Sequence, residues 1–178
     1  MFNNLLPFVK VALIWGVFCA CKSDYNTPSF SCNGYTMQLS LQDSTHHSLQ
    51  VSNNTFFRTP SDTGGIKYIT LETAADSVKI IFNLKTGLYP DNTLWDDSMP
   101  VRTYTYSKQA TGITSGLVVA GIKAGDNFQF ADTDSSSITI TEWNIRNQTM
   151  SGRYYFESNG HTLVGEGSFT GVCFVSLK

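Results

Sequence analysis

From Ser137 to Val175 apolar and polar positions alternate, and no helical period survives. Ile138 and Ile140 share one parity, as do Tyr154 and Phe156, and then Phe169, Gly171, Cys173 and Val175. Successive side chains on a strand point to opposite faces, so each run offers one oily face to a core. Polar turns at Arg146–Gln148 and Ser158–His161 cut the stretch into three strands, which the spacing predicts as an antiparallel meander. Gly152, inside a strand, predicts a bulge or the close approach of a neighbour.

The same alternation runs through Tyr35, Met37, Leu39 and Leu41 and, more weakly, through Leu49–Phe57, after a polar turn at Asp43–Ser48. Pro60–Gly65 is a loop by composition. Ile66–Glu72 and Val78–Leu84 flank Ala74–Ser77 as a hairpin. Tyr104–Ser107, Leu117–Ile122 and Asn127–Ala131 add three short strands, and Asp132–Ser136 reads as a polar turn. Lys85–Pro100 is the longest irregular piece. The runs are rich in β-branched and aromatic residues, and Ala74-Ala75, the one hint of helix, is too short to form a helix alone. About ten short strands without a helix of useful length predict an all-β fold, a single antiparallel β-sandwich or flattened barrel.

The N-terminus departs from this pattern. Lys10 precedes Val11–Phe18, an apolar run far short of the roughly 20 residues a membrane-spanning helix needs. It suits the apolar region of an export signal. Phe18-Cys19-Ala20-Cys21 then resembles a bacterial lipobox, with small Ala20 before Cys21, the cysteine that receives lipid. On this reading the chain divides into a lipoprotein signal peptide (1–20), a polar tether (21–31) and a β-domain (32–178). The competing reading is an ordinary secretory signal cut nearby. Acyl chains on Cys21 make the membrane a partner, each buried methylene adding about 0.8 kcal/mol. The expected location is the bacterial cell envelope, at the outer membrane. Of four cysteines, Cys19 leaves with the signal and Cys21 takes lipid. Cys32 and Cys173 remain, as a disulfide or as two buried thiols in an oxidising compartment.

Charge and motifs narrow the chemistry. With 178 residues, 41% of them hydrophobic, the chain fits one domain. Its net charge of −2 and 15% charged residues leave no basic patch for phosphates, so nucleic acid is not an expected partner. His46 and His47 are adjacent and would face opposite ways on a strand; with His161 they read as turn residues. No zinc-protease or paired-cysteine spacing occurs, and the oxygen donors Asp91, Asn92, Asp96 and Asp97 lack the EF-hand pattern, so no metal or cofactor is assigned. No nucleophile elbow is present, and Glu142, Glu157 and Glu166 fall on different strands, so no catalytic residue is assigned and the chain is not expected to be an enzyme. The most site-like segment is Leu88–Pro100. There Tyr89 and Trp95 stand beside Asp96 and Asp97, aromatic faces with short polar groups that suit a glycan or a protein ligand. The alternative is that Tyr89 and Trp95 plug the open end of the sandwich.

Taken together, Ile138-Thr139-Ile140, Ser151-Gly152-Arg153-Tyr154-Tyr155-Phe156 and Gly165-Glu166-Gly167-Ser168-Phe169 resemble the closing strands of an uncharacterised family of small Bacteroidota lipoproteins. Gly87-Leu88-Tyr89 is similar to the Gly-x-Tyr before that family's central loop. The resemblance implies an envelope location and a β fold, and no chemistry. The function expected is a lipid-anchored, non-catalytic binding or structural module. Two alternatives are a lipocalin-like carrier of a small apolar ligand and a carbohydrate-binding or carbohydrate-active protein.

Overall fold

The computed structural model describes residues 32–60, 62–110 and 115–177. The expected signal peptide, the expected tether and the expected lipid site at Cys21 lie outside the described residues. Twelve strands follow in order: β1 (Thr36–Leu41), β2 (His46–Ser48), β3 (Gln50–Thr59), β4 (Gly65–Ala74), β5 (Val78–Tyr89), β6 (Thr103–Ser107), β7 (Gly116–Ala124), β8 (Asn127–Phe130), β9 (Thr133–Asn144), β10 (Thr149–Ser158), β11 (Leu163–Cys173) and β12 (Val175–Ser176). One helical turn, α1 (Asp91–Leu94), follows β5. The first sheet has the order β2-β1-β11-β10-β9-β6 and the second β12-β3-β4-β5-β7-β8. Every pairing is antiparallel except that of β12 with β3. The sheets pack face to face without closing, which makes the fold a β-sandwich and not a barrel.

Alternation produces this architecture. On β4 the inward parity carries Ile69 and Leu71, and on β5 Val78, Ile80, Phe82 and Leu84, all buried. They meet Met37 and Leu39 of β1, Ile138 and Ile140 of β9, and Tyr154 and Phe156 of β10. Phe82 sits edge-on to Tyr154 with ring centres 4.8 Å apart, so aromatic rings fill the middle of the core. Burial of each such side chain contributes about 1.5–3 kcal/mol.

Local details of the chain add to or depart from the alternation pattern. The turn after β1 is shorter than Asp43–Ser48, because the Asp43 carboxylate accepts from the Thr45 backbone N–H (2.9 Å) and hydroxyl (2.6 Å). That Asx-type turn frees His46–Ser48 to pair with β1. The expected turn at Asp132–Ser136 is mostly strand: the Thr133 and Ser136 hydroxyls point inward and donate to the Val118 and Gly116 carbonyls at 2.7 and 2.8 Å. Their polarity is neutralised by β7, not by water. The run expected to be irregular begins as strand, with β5 continuing to Tyr89. In β11 the parity breaks at Gly171, whose φ of +64° is a left-handed conformation that favours glycine. Val172 and Phe174 therefore turn inward, while Val175 is exposed and Cys173 turns away from the core. At Gly152 the registers of β10 with both β9 and β11 shift, a bulge.

Cys32 and Cys173 are joined by a disulfide with Cα atoms 5.6 Å apart, linking positions 141 residues apart. It fastens the first described residue to the end of β11.

Candidate functional site

Two regions compete for a binding role: the Leu88–Pro100 segment at one end of the sandwich, and the outer face of the first sheet.

The segment is strapped to the body of the fold. Lys67 occupies an inward position on β4 and has no exposed surface. Its ammonium donates to Asp96 Oδ1 at 2.6 Å and to the Ser98 carbonyl at 2.8 Å, and lies 4.4 Å from the centre of the Tyr89 ring. Desolvation pushes the Asp96 carboxyl up, but the Lys67 ammonium and the Ser98 hydroxyl and backbone N–H outweigh it and hold the group down at about 2. Arg58 of β3 pairs with Asp97, donates to Ser176 Oγ and the Leu177 carbonyl at 3.2 and 3.0 Å, and covers the Phe56 ring at 4.6 Å. The Trp143 indole donates to the Asp97 carbonyl at 2.7 Å and stacks on Phe174. Tyr89 and Asp96 are thus brought together around Lys67, Asp97 goes to Arg58, and Trp95 is 57% exposed. Three of the four groups expected to meet a ligand have protein partners.

The histidines are dispersed. His46 Nδ1 lies 2.8 Å from Ser40 Oγ on β1, and His161 pairs with Glu157 across a turn. Among the described residues no three His, Cys, Asp or Glu side chains gather to hold a metal.

The outer face of the first sheet carries a groove of about 450 Å³. Its walls follow from register. One cross-strand row runs Gln38, Ser168, Arg153, Thr139 through β1, β11, β10 and β9, and Thr103 on β6 extends it. The next row runs Ser40, Glu166, Tyr155, Ser137 through the same four strands. Strands lie about 4.8 Å apart and alternate residues about 7 Å, so the rows frame a patch of about 14 by 7 Å. Every side chain in it donates or accepts hydrogen bonds. Short alcohols keep the floor low, and Gln38, Arg153, Tyr155 and Glu166 rise above it.

Beneath the floor, the Tyr154 phenol passes under Gly167 and donates to the Gln38 carbonyl at 2.9 Å. A Cβ at Gly167 would lie 2.0 Å from that carbonyl oxygen and 2.6 Å from the phenol oxygen, so the floor needs glycine. Burial pushes the Tyr154 phenol far up, so it remains a neutral donor.

Tyr155 is fixed by a hydrogen bond from its hydroxyl to Glu157, whose other carboxylate oxygen meets His161. That bond, with lesser help from desolvation, raises the Tyr155 phenol to about 12, while the Tyr155 and His161 contacts lower the Glu157 carboxyl. Tyr155, Glu166 and Ser40 also border a second depression of about 290 Å³ that reaches Leu41 and Val164. The two depressions lie side by side and share that edge.

No known family, curated protein or solved structure matches this chain.

The groove residues were visible in the sequence as the outward parity of Tyr35–Leu41, Ser137–Ile140, Ser151–Phe156 and Gly165–Phe169. Periodicity finds a core by its apolar half. The polar half of the same strands is an ordinary solvated face until register shows which residues stand side by side.

Proposed function

We propose that the chain is a non-catalytic binding module of the bacterial envelope, held at the outer membrane through lipid on Cys21, and that its groove takes a glycan. The observation that carries the reading is the pair of adjacent rows in which eight hydrogen-bonding side chains from four strands share one depression. A saccharide presents closely spaced hydroxyls that are both donors and acceptors, and alcohols, an amide, a carboxylate and a guanidinium answer both roles. The rim Tyr155 ring adds an apolar face with its hydroxyl already fixed. A second depression sharing the Tyr155 edge suits a ligand of more than one residue.

Two features favour binding over hydrolysis. Glu166 is the single carboxylate among the residues lining the groove, whereas hydrolysis of a glycosidic bond uses two flanking carboxylates. Glu157 is turned to Tyr155 and His161. The carrier alternative finds less support, because the inner faces of the two sheets are filled by Phe82, Tyr154, Phe156 and Phe169. The lipobox and the resemblance to small Bacteroidota lipoproteins supply the location.

A glycan array read with Thr139→Trp and Trp95→Ala tests the site. Thr139→Trp fills the groove floor from an outward position and is expected to abolish binding, with Trp95→Ala unchanged. Loss in Trp95→Ala with Thr139→Trp unaffected would return the site to the Leu88–Pro100 segment. Loss of palmitate labelling in Cys21→Ser tests the anchor, and persistent labelling refutes it.

A further inference from the structure

We infer that the groove's ligand is an acidic saccharide, bound with a sugar carboxylate on the Arg153 guanidinium; this assignment rests on the glycan reading above. Arg153 stands mid-sheet on β10, with Ser168 and Thr139 directly opposite it on β11 and β9. Its guanidinium makes no hydrogen bond or ion pair among the described residues. Lys85, Lys123 and Arg146 likewise have no side-chain partner among the described residues, but of these four cations Arg153 alone lines the groove. Arg58, Lys67, Lys79 and Lys108 are paired with Asp97, Asp96, Glu72 and Asp132. Arg102 donates to Thr86 and covers the Tyr104 ring.

A carboxylate is near at hand and is not used. Glu166 lines the same groove one row away, and its carboxylate likewise makes no hydrogen bond or ion pair among the described residues. Opposite charges that share a depression without pairing both remain available to a ligand. A guanidinium presents a planar fork of donors that a carboxylate matches with two parallel bonds, and such charge-assisted bonds are about twice as strong as neutral ones. The flanking Ser168 hydroxyl can donate to a remaining lone pair. Glu166 acts in the opposite sense: it accepts from sugar hydroxyls and repels an acid group. The ligand is therefore oriented, acid toward the Arg153 row and hydroxyls toward the Glu166 row. A small free anion would engage Arg153 alone and leave the remaining donors and acceptors of the groove to water.

Isothermal titration calorimetry on the full chain tests the assignment, with a uronic-acid trisaccharide and the same trisaccharide after carboxyl reduction as probes. The acidic form is expected to bind about tenfold or more tightly, a difference that shrinks as salt screens it. Arg153→Gln should remove the preference, so that the variant binds the acidic and neutral forms within about twofold of each other. Arg153→Lys, which keeps the charge and loses the fork, should fall between. Thermal melts of both variants check that the exposed substitution leaves the fold intact. Equal affinity for the two probes, unmoved by Arg153→Gln, overturns the acid assignment and leaves the glycan reading standing. Binding of neither probe, with a blank glycan array, overturns the glycan reading and this assignment with it.

Discussion

Lys67 and Asp96 form one ion pair, but removing either end should not cost the same. Lys67 is fully buried, whereas the Asp96 side chain is 49% exposed. Asp96→Ala leaves an ammonium out of water with the Ser98 carbonyl, the more distant Ser98 hydroxyl at 3.4 Å and the Tyr89 ring for company. Breaking a buried pair from one side costs about 3–5 kcal/mol; with water able to enter the space left by a half-exposed carboxylate, the low end applies, about 3 kcal/mol. Lys67→Met keeps an unbranched stem of similar length and removes the desolvated charge itself. The Asp96 carboxylate it leaves behind retains the Ser98 backbone N–H at 2.8 Å and solvent. A cost of about 1 kcal/mol or less follows. The double variant should resemble Lys67→Met alone, since with no buried cation the carboxylate has nothing to neutralise. Urea unfolding at neutral pH, with free energies extrapolated to water, measures all four proteins. Against a total of about 5–15 kcal/mol the difference is readily seen. Acid adds an independent readout. Asp96 has its carboxyl lowered to about 2 from 3.8, so its contribution is complete above about pH 4 and disappears as pH falls toward 2. Lys67→Met should show a shallower loss across that interval. Equal costs for Asp96→Ala and Lys67→Met, or a larger cost for Lys67→Met, would refute the claim that a buried cation holds the segment down.

Other consequences are as direct. Replacing Cys32 and Cys173 by serine reopens a loop of 141 residues; loop-closure entropy sets the loss at about 5 kcal/mol. For a domain of this size that lowers Tm by roughly 15 °C, and a calorimetric drop below about 3 °C contradicts it. Gly167→Ala places a methyl against the Gln38 carbonyl and the Tyr154 phenol and should cost about 3 kcal/mol by overpacking; a denaturation midpoint within error of wild type shows that the floor can yield. In an ultraviolet alkaline titration, the phenol lost in Tyr155→Phe is one that titrates near 12, held up by the Glu157 carboxylate. A difference curve centred near 10 would mean that bond is absent.

The strands that alternate cleanly were legible because burial on one face is all that a period of two encodes. Met37, Leu39, Ile138, Ile140, Tyr154 and Phe156 point inward as their parity requires. The reading failed where a polar group buries itself through a specific partner. Thr133 and Ser136 look like turn residues until β7 offers its carbonyls, and nothing local in the sequence marks Lys67 as the buried partner of Asp96, 29 residues away. The break at Gly171 escaped for another reason: a single φ reverses parity, and glycine at that position equally continues a strand. Residues Tyr89, Trp95, Asp96 and Asp97 attract attention as a ligand cluster because composition cannot tell a carboxylate that awaits a partner from one that already holds a buried cation. The groove depends on which outward residues become neighbours across strands, and that is a property of register.

The order β2-β1-β11-β10 also constrains how the molecule comes into being. The strand made first pairs, beyond its own hairpin, with the last long strand to be made. The second sheet likewise receives its edge, β12, from the final few residues. A growing chain therefore carries the β1–β2 hairpin unaccompanied until β11 has been made. The first sheet can close only once β11 is available, so the domain assembles in one late step.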